Sequence, residues 1–340
     1  YALILAVMCV AALAASGVIS MTQSNVWFPW SVVAFLQVPV SLGWGTGSRY
    51  YIERFFRVRI SKEQEQLKEA FKKYLSPQML DKLSEDGFKM KFGGEKVEAA
   101  MIFTDLESFT NMCERVGDAE RIVEALSDYF ERTTTHIFEY DGVVIKFIGD
   151  AIFAAWGAPI VDPQSSLNAA KAAWYLSKDD TLAVEGVTLK TRIGVHFGEV
   201  VAGNIGSRQR VDYTMIGDPV NVAARLEGLN KMFGTRILIS EEIESRLDSE
   251  FHTRKVGRFR VKGRREPTAV FELVGPVAEI EKPAWVDPYA LGIAALESNN
   301  FEEARSRFEE VDRMRGETGD GPSRFYLRLL EKGEPISDGV

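Results

Sequence analysis

The chain opens with an apolar run free of charge from Tyr1 to Ile19 and, after the polar stretch Ser20 to Asn25, a second run from about Val26 to Gly45. Each is about long enough to cross a bilayer as a helix, so the pattern predicts a transmembrane hairpin over residues 1–48. The first run lacks the basic start of a signal peptide, and an opening Tyr1 in place of Met predicts a longer parent chain. Arg49, Arg54, Arg57 and Arg59 follow the second run, and that excess of arginine predicts a cytoplasmic location for the rest of the chain in a multi-pass cell-membrane protein. Gly43 and Gly47 have the small-xxx-small spacing, which suits helix pairing or flexibility near the interface.

Residues 49–94 read as juxtamembrane and linker helices. Ile60, Gln64, Leu67, Phe71 and Tyr74 recur at spacings of four and three, either a heptad seam for a second chain or the apolar face of a helix lying on its own domain. Ser76-Pro77 supplies a cap and first-turn proline for a short helix to Leu83, and "EDGFKMKFGGEK" closes the linker. From Glu98 strands alternate with helices: strand 99–104, helix 109–139 broken near Gly117, hairpin 143–156, helix 164–177, strands 190–202 and 211–216, helix 219–232, strand 235–239, helix 241–247, and strands 252–261 and 269–274. The order predicts an α+β sandwich with helices covering a mixed sheet, within a domain at 95–278. Two short amphipathic helices follow in 284–332, with Leu291, Gly292, Ala304 and Phe308 spaced as in a tetratricopeptide unit; a single unit predicts a helical hairpin packed on something else.

The net charge of -8 offers no basic face, which sets nucleic acid aside as a partner. Cys9 and Cys113 cannot build a disulfide framework or a cysteine zinc site. His136, His196 and His252 are scattered singly and read as structural.

Candidate chemistry lies at strand tips. In "KFIGDAIFA" a Gly-Asp pair between two strand-like runs puts Asp150 at a hairpin tip, as a turn residue or as something more. "AAMIFTDLESFT" ends an apolar strand at Asp105, and two carboxylates on adjacent strands suit hard divalent ions that keep positions open for phosphate oxygens. Backbone amides of Leu106, Glu107, Ser108, Phe109 and Thr110, at a helix start, are candidates to cradle those phosphates. No Walker sequence is present. Asn221 and Arg225, four apart in "RVDYTMIGDPVNVAARLEGLN", share a helix face, where Arg225 either clamps an anion or pairs with Glu227 or another acid.

Taken in order, "IFTDLESFT", "KFIGDAIFAAW", "IGVHFGEVVAGNIG", "DYTMIGDPVNVAARLE" and "FRVKG" resemble the catalytic domain of class III adenylate cyclases over about residues 95–275. The membrane hairpin and linker resemble sensor-linked bacterial members, some with an extracellular CHASE2 domain upstream. The resemblance implies a ferredoxin-like, palm-type α+β domain that converts ATP to 3′,5′-cyclic AMP and pyrophosphate with two Mg²⁺ or Mn²⁺ ions in signal transduction. It matches Asp105 and Asp150 to the metal ligands, Lys146 to the lysine that reads adenine, Asn221 and Arg225 to the pair that positions ribose and stabilises the transition state, and Lys262 to a lysine that grips terminal phosphates. It also implies a homodimer, because the metal side of one chain faces the adenine side of another.

One position departs. Seven residues before Asn221, where many adenylate cyclases carry an adenine-reading aspartate, stands Thr214. Its hydroxyl can accept from the adenine amino group but rejects guanine less firmly. Such a threonine is similar to the subgroup often activated by bicarbonate, which makes bicarbonate a candidate activator. Guanylate cyclase is the alternative activity, disfavoured by Lys146; a silent cyclase-like receptor is another, disfavoured because Asp105, Asp150, Asn221 and Arg225 are all present. The G-G-[DE]-[DE]-F turn of diguanylate cyclases is missing.

Overall fold

The computed structural model describes residues 38–71, 93–178, 183–184, 187–207, 209–259 and 267–332, with Met8, Ala11, Ala12, Ala15, Ile19 and Gln23. Two compact units divide the chain, Tyr1–Leu75 and Ser76–Val340.

In the first unit α1 runs from Val38 to Phe71 as one helix of 34 residues. The sequence pattern alone separates these residues into the end of an apolar span, a basic flank and a linker helix. They join because every residue from Arg49 to Phe71 is compatible with a helix interior, with neither glycine nor proline to interrupt it. Glu53 also pairs with Arg49 at 3.5 Å and with Arg57 at 3.7 Å, both one turn away. Among the described residues no helix is long and apolar enough to cross a membrane. The expected spans fall mostly outside those residues, as does the short helix expected after Ser76-Pro77.

In the second unit the elements follow the expected α+β order. They are β1 (Gly93–Leu106), α2 (Phe109–Val116), α3 (Ala119–Glu139), β2 (Val143–Ile148), β3 (Ala151–Trp156), α4 (Ser165–Lys178), β4 (Ala183–Val184), β5 (Val187–Thr188), β6 (Thr191–Gly206), β7 (Val211–Ile216), α5 (Asp218–Phe233), β8 (Ile237–Ser240), α6 (Glu241–Glu244), β9 (Phe251–Phe259), β10 (Thr268–Pro276), α7 (Val286–Glu297), α8 (Phe301–Met314) and α9 (Gly321–Lys332). The large sheet has the order β2-β3-β1-β6-β8-β10-β9, with β7 paired to β6. It is mixed, since β6 and β8 are parallel while β1 lies antiparallel to both β3 and β6.

Strand β1 starts earlier than expected. Gly93 to Lys96, read as linker, pair with Asn204 to Val201 of β6, because the long β6 offers a ladder that the polar "GGEK" joins through its backbone. Further along β1 the side chains alternate between two cores, as a strand period of two requires. Ala100 and Ile102 join Ile152, Trp156 and Val195 on one face, whereas Ala99 and Met101 join Phe153, Val200 and Ala223 on the other.

The C-terminal segment is three helices, not a hairpin. "GPSRFYLRLLEK" forms α9, whose Tyr326 is buried with Tyr289, Phe308, Val256, Phe233 and Val270 in one core. What the helices pack on is therefore the sheet and α5. A buried ion network fixes the junction: Arg254 of β9 meets Glu272 at 2.5 Å and Asp320 at 2.8 Å, with its guanidinium 4.5 Å from the ring centroids of both Trp285 and Tyr289. Stripping such a buried cation of a partner costs roughly 3–5 kcal/mol, so Asp320 secures the start of α9.

Candidate active site

Asp105 and Asp150 do come together. Gly149, at φ +64°, turns the β2–β3 hairpin, and Asp150 follows it directly. Thr104 and Ile152 form the last β1–β3 register pair, so the two aspartates leave adjacent strand tips. They lie near enough to interact electrostatically, and burial followed by the charge of Asp150 raises the Asp105 pKa.

Two further charged groups converge there, and neither was singled out for this site in the sequence. Arg192 stands opposite Asp105 in the β1–β6 register, with Nη2 3.8 Å from Oδ2. Glu227 reaches the site from α5. That helix lies directly on β6, and a Cβ at Gly194 would meet the Glu227 amide nitrogen at 2.2 Å and the Ala223 carbonyl oxygen at 2.3 Å. Burial first, and then the charge of Asp105, pushes the Glu227 pKa up to about 7.

Glu227 carries a pH prediction. Its folded pKa lies above the ordinary 4.5, so the stability tied to its neutral form is complete below pH 4.5 and lost as pH rises through about 7. In buffer with chelator, the melting temperature of the chain is expected to fall between pH 5 and pH 8. Glu227→Gln should flatten that slope, and an unchanged slope in the variant would refute the assignment.

The expected phosphate cradle narrows. Leu106 belongs to the β1–β6 ladder opposite Thr191, and the Glu107 amide donates to the Lys190 carbonyl at 2.8 Å. The Glu107 amide is claimed by the sheet edge, whereas Leu106 is in a non-hydrogen-bonded pair whose N–H points away from β6, which leaves the amides of Leu106, Ser108, Phe109 and Thr110. Ser108 sits at φ 63°, a left-handed conformation uncommon for a side chain other than Gly, Asn or Asp, and makes no side-chain cap.

Asn221 is exposed and Arg225 half-buried on the same helix, α5. The Nη1 of Arg225 is buried without a hydrogen-bond partner, and among the described residues no ion pair joins Arg225 to Glu227 or another acid. The Nε of Arg192 is likewise buried without a hydrogen-bond partner. Buried guanidinium donors lacking acceptors are costly, and a polyanionic ligand would satisfy them.

Lys146, on β2, places Nζ 3.6 Å from Oδ2 of Asp212 on β7, with Arg210 Nε 4.0 Å from Oδ1. Thr214 lies two residues beyond Asp212, on the same side of β7. Among the described residues, no hydrogen bond or ion pair joins Lys146, Asn221 or Arg225 to either aspartate. Lys262 lies outside the described residues.

The site can accept a hard divalent cation. Its donors are carboxylate oxygens, and the raised Asp105 pKa reflects burial first and then the negative charge of Asp150, which Arg192 only partly offsets. Among the described residues no three metal-ligating side chains cluster. The chain therefore offers two carboxylates and leaves the remaining coordination positions to ligand oxygens and water.

Residues 94–274 match the family of adenylate and guanylate cyclase catalytic domains. The chain belongs to that family. The cyclase domain has a relative in adenylate cyclase 1 of Rhizobium meliloti (strain 1021), 33% identical over 220 residues that make up 62% of this chain and 32% of that protein. The chain thus spans about a third of the length of that relative. Among solved structures, the adenylyl cyclase CyaB from P. aeruginosa is 27% identical with a TM-score of 0.51, covering 56% of this chain and 100% of that one. A bacterial light-regulated adenylyl cyclase shares the fold, with a TM-score of 0.55 at 24% identity over 66% of this chain and 65% of that one.

Within the cyclase domain, sequence reasoning missed Arg192, Asp212 and the approach of Glu227. A signal for Arg192 existed: it is the second residue of β6, a charged group near a strand end as Asp105 is.

Proposed function

We propose that the chain is an adenylate cyclase that converts ATP to 3′,5′-cyclic AMP and pyrophosphate at a homodimer interface. The observation that carries this reading is the meeting of Asp105 and Asp150 at adjacent strand tips. Their carboxylates would hold two Mg²⁺ or Mn²⁺ ions, which when bound lower the pKa of the ribose 3′-hydroxyl and neutralise charge at the α-phosphate. The 3′-oxygen attacks the α-phosphorus in line, the bond to the bridging oxygen breaks, and the 3′-hydroxyl proton passes to solvent. Asn221 orients the ribose and Arg225 binds the charge that builds on the α-phosphate. Leu106 and Ser108 to Thr110 supply amide donors, and Lys262 and Arg192 bind the phosphates that depart. Much of the acceleration comes from bending one ATP into the attacking geometry.

Adenine selection is assigned to Lys146, whose ammonium donates to ring N1, and to Thr214, whose hydroxyl accepts from the amino group. Asp212 supports this by holding Lys146 beside β7. Because, among the described residues, neither Lys146 nor Arg225 bonds to Asp105 or Asp150 of its own chain, a second copy completes each site. Bicarbonate activation and attachment to a membrane through residues 1–48 complete the proposal; the first is checked by adding bicarbonate at fixed pH, the second by sedimentation of the chain with vesicles.

The test is turnover of ATP and GTP by the purified chain with Mg²⁺ or Mn²⁺. Cyclic AMP is expected to form faster than cyclic GMP, and Lys146→Glu should depress ATP turnover by about tenfold or more, since each lost or reversed hydrogen bond to a base costs over 1 kcal/mol. Preferential turnover of GTP by the parent chain would favour the guanylate cyclase reading.

A further inference from the structure

Beneath the charged tips lies a buried polar cluster that the chemistry above does not use. Tyr129, on α3, is 5% exposed, and Thr104, Thr133 and Thr191 are exposed by 1%, 3% and 3% in a layer otherwise built of Ile102, Ile152, Ile193 and Leu106. The phenol oxygen lies 3.2 Å from Oγ1 of Thr104, and that hydroxyl also accepts the Ile152 amide at 3.1 Å. Thr191 and Thr133 lie near the same phenol and oppose the rise that burial imposes on its pKa.

The sequence neighbours of these groups are what matters. Thr104 directly precedes Asp105, Thr191 directly precedes Arg192, and Ile152 stands two residues after Asp150. One hydroxyl from a helix therefore bonds to β1 at the last residue before Asp105 and lies near β6 at the last residue before Arg192. Through Thr104 it also reaches β3 just behind the hairpin turn. The final β1–β3 rung runs through a side chain, so the separation of the two carboxylates depends on where that side chain is held. An apolar residue in place of Tyr129 would fill the space and leave the threonine hydroxyls to seek other partners.

We infer that Tyr129 and Thr104 are positioning residues that set the spacing of Asp105, Asp150 and Arg192 for divalent cation binding. They act as outer partners do in metal sites, orienting ligands without touching the ion. The inference rests on the two-metal reading of the site and adds to it a second layer with its own consequences.

The experiment uses the full chain and three variants, Tyr129→Phe, Thr104→Val and Thr104→Ser. Mn²⁺ is titrated in the presence of α,β-methylene-ATP, with free Mn²⁺ followed by electron paramagnetic resonance, and kcat and KM are measured separately with Mn²⁺ and ATP. Tyr129→Phe and Thr104→Val are expected to weaken Mn²⁺ binding about tenfold or more and to lower kcat more than they change KM. Thr104→Ser, which keeps the hydroxyl, should restore both. Melting temperatures recorded alongside separate the roles: a purely structural cluster would lower melting and leave Mn²⁺ affinity at the parent value, which would overturn the inference. Should Tyr129→Phe fail to fold, the contrast between Thr104→Val and Thr104→Ser decides. A parent chain that neither binds Mn²⁺ nor turns over ATP overturns the two-metal reading and this inference with it, whereas a normal parent with unchanged variants overturns this inference alone.

Discussion

Asp150→Ala is expected to lose turnover by about a thousandfold or more, the scale on which removing charge stabilisation at a reacting phosphate acts, while melting no lower than the parent protein. The second half of that expectation follows from electrostatics. Burial and the charge of Asp150 both raise the Asp105 pKa, so the metal-free chain holds two carboxylates that repel one another. Deleting one relieves the other. The variant also keeps Gly149 and the hairpin register, because the turn conformation resides in the glycine at φ +64°. Cyclic AMP formation and thermal melting on the same preparation check both halves. A variant with parent turnover would remove Asp150 from the metal site, and one that is inactive because it has unfolded would show that its role is in the turn.

Mixing two inactive variants gives the other large effect. Asp105→Ala damages the metal side of a shared site and Arg225→Ala the opposite side, so each homodimer has two damaged sites. A mixed dimer has one site with both lesions and one built from intact halves. Random pairing makes half the dimers mixed, and activity is expected to return to up to about a quarter of the parent value, with coupling between sites able to lower it. Asp105→Ala mixed with Asp150→Ala should recover nothing, since every site still lacks a carboxylate. Chain exchange is verified with differently tagged copies. If the first mixture stays inactive despite exchange, or the second recovers, these residues do not sit on opposite sides of a shared site. The orphaned Nη1 of Arg225 motivates the design, because that buried nitrogen finds no hydrogen-bond partner among the described residues of its own chain.

Local pattern was enough to place the elements that carry the two aspartates. Alternation and a Gly-Asp turn located Asp150, the end of an apolar strand located Asp105, and Gly117, at φ 61°, broke the helix where its lack of a side chain predicted. Asn221 and Arg225 could be placed on one helix from their spacing alone. These features depend on a few neighbouring residues, so the sequence by itself determined them. Five ordered motifs then determined the family.

Tertiary structure decided what lies across from what. Arg192 faces Asp105 only because β6 pairs with β1 in one register, and a slip of one residue would turn it to the other face. Glu227 reaches the carboxylates because α5 seats on the bare backbone of Gly194, and the Glu107 amide is lost to the phosphate cradle because Lys190 takes it. The third C-terminal helix escaped the sequence pattern, and its anchor is Arg254, buried between Glu272 and Asp320 far apart in the chain. The Tyr129 cluster has the same origin: its members lie on separate strands and a helix, and only long-range packing brings their hydroxyls to one point. Periodicity records which face of an element is apolar, whereas register and the seating of helices depend on the sum of many distant contacts, which no local stretch encodes.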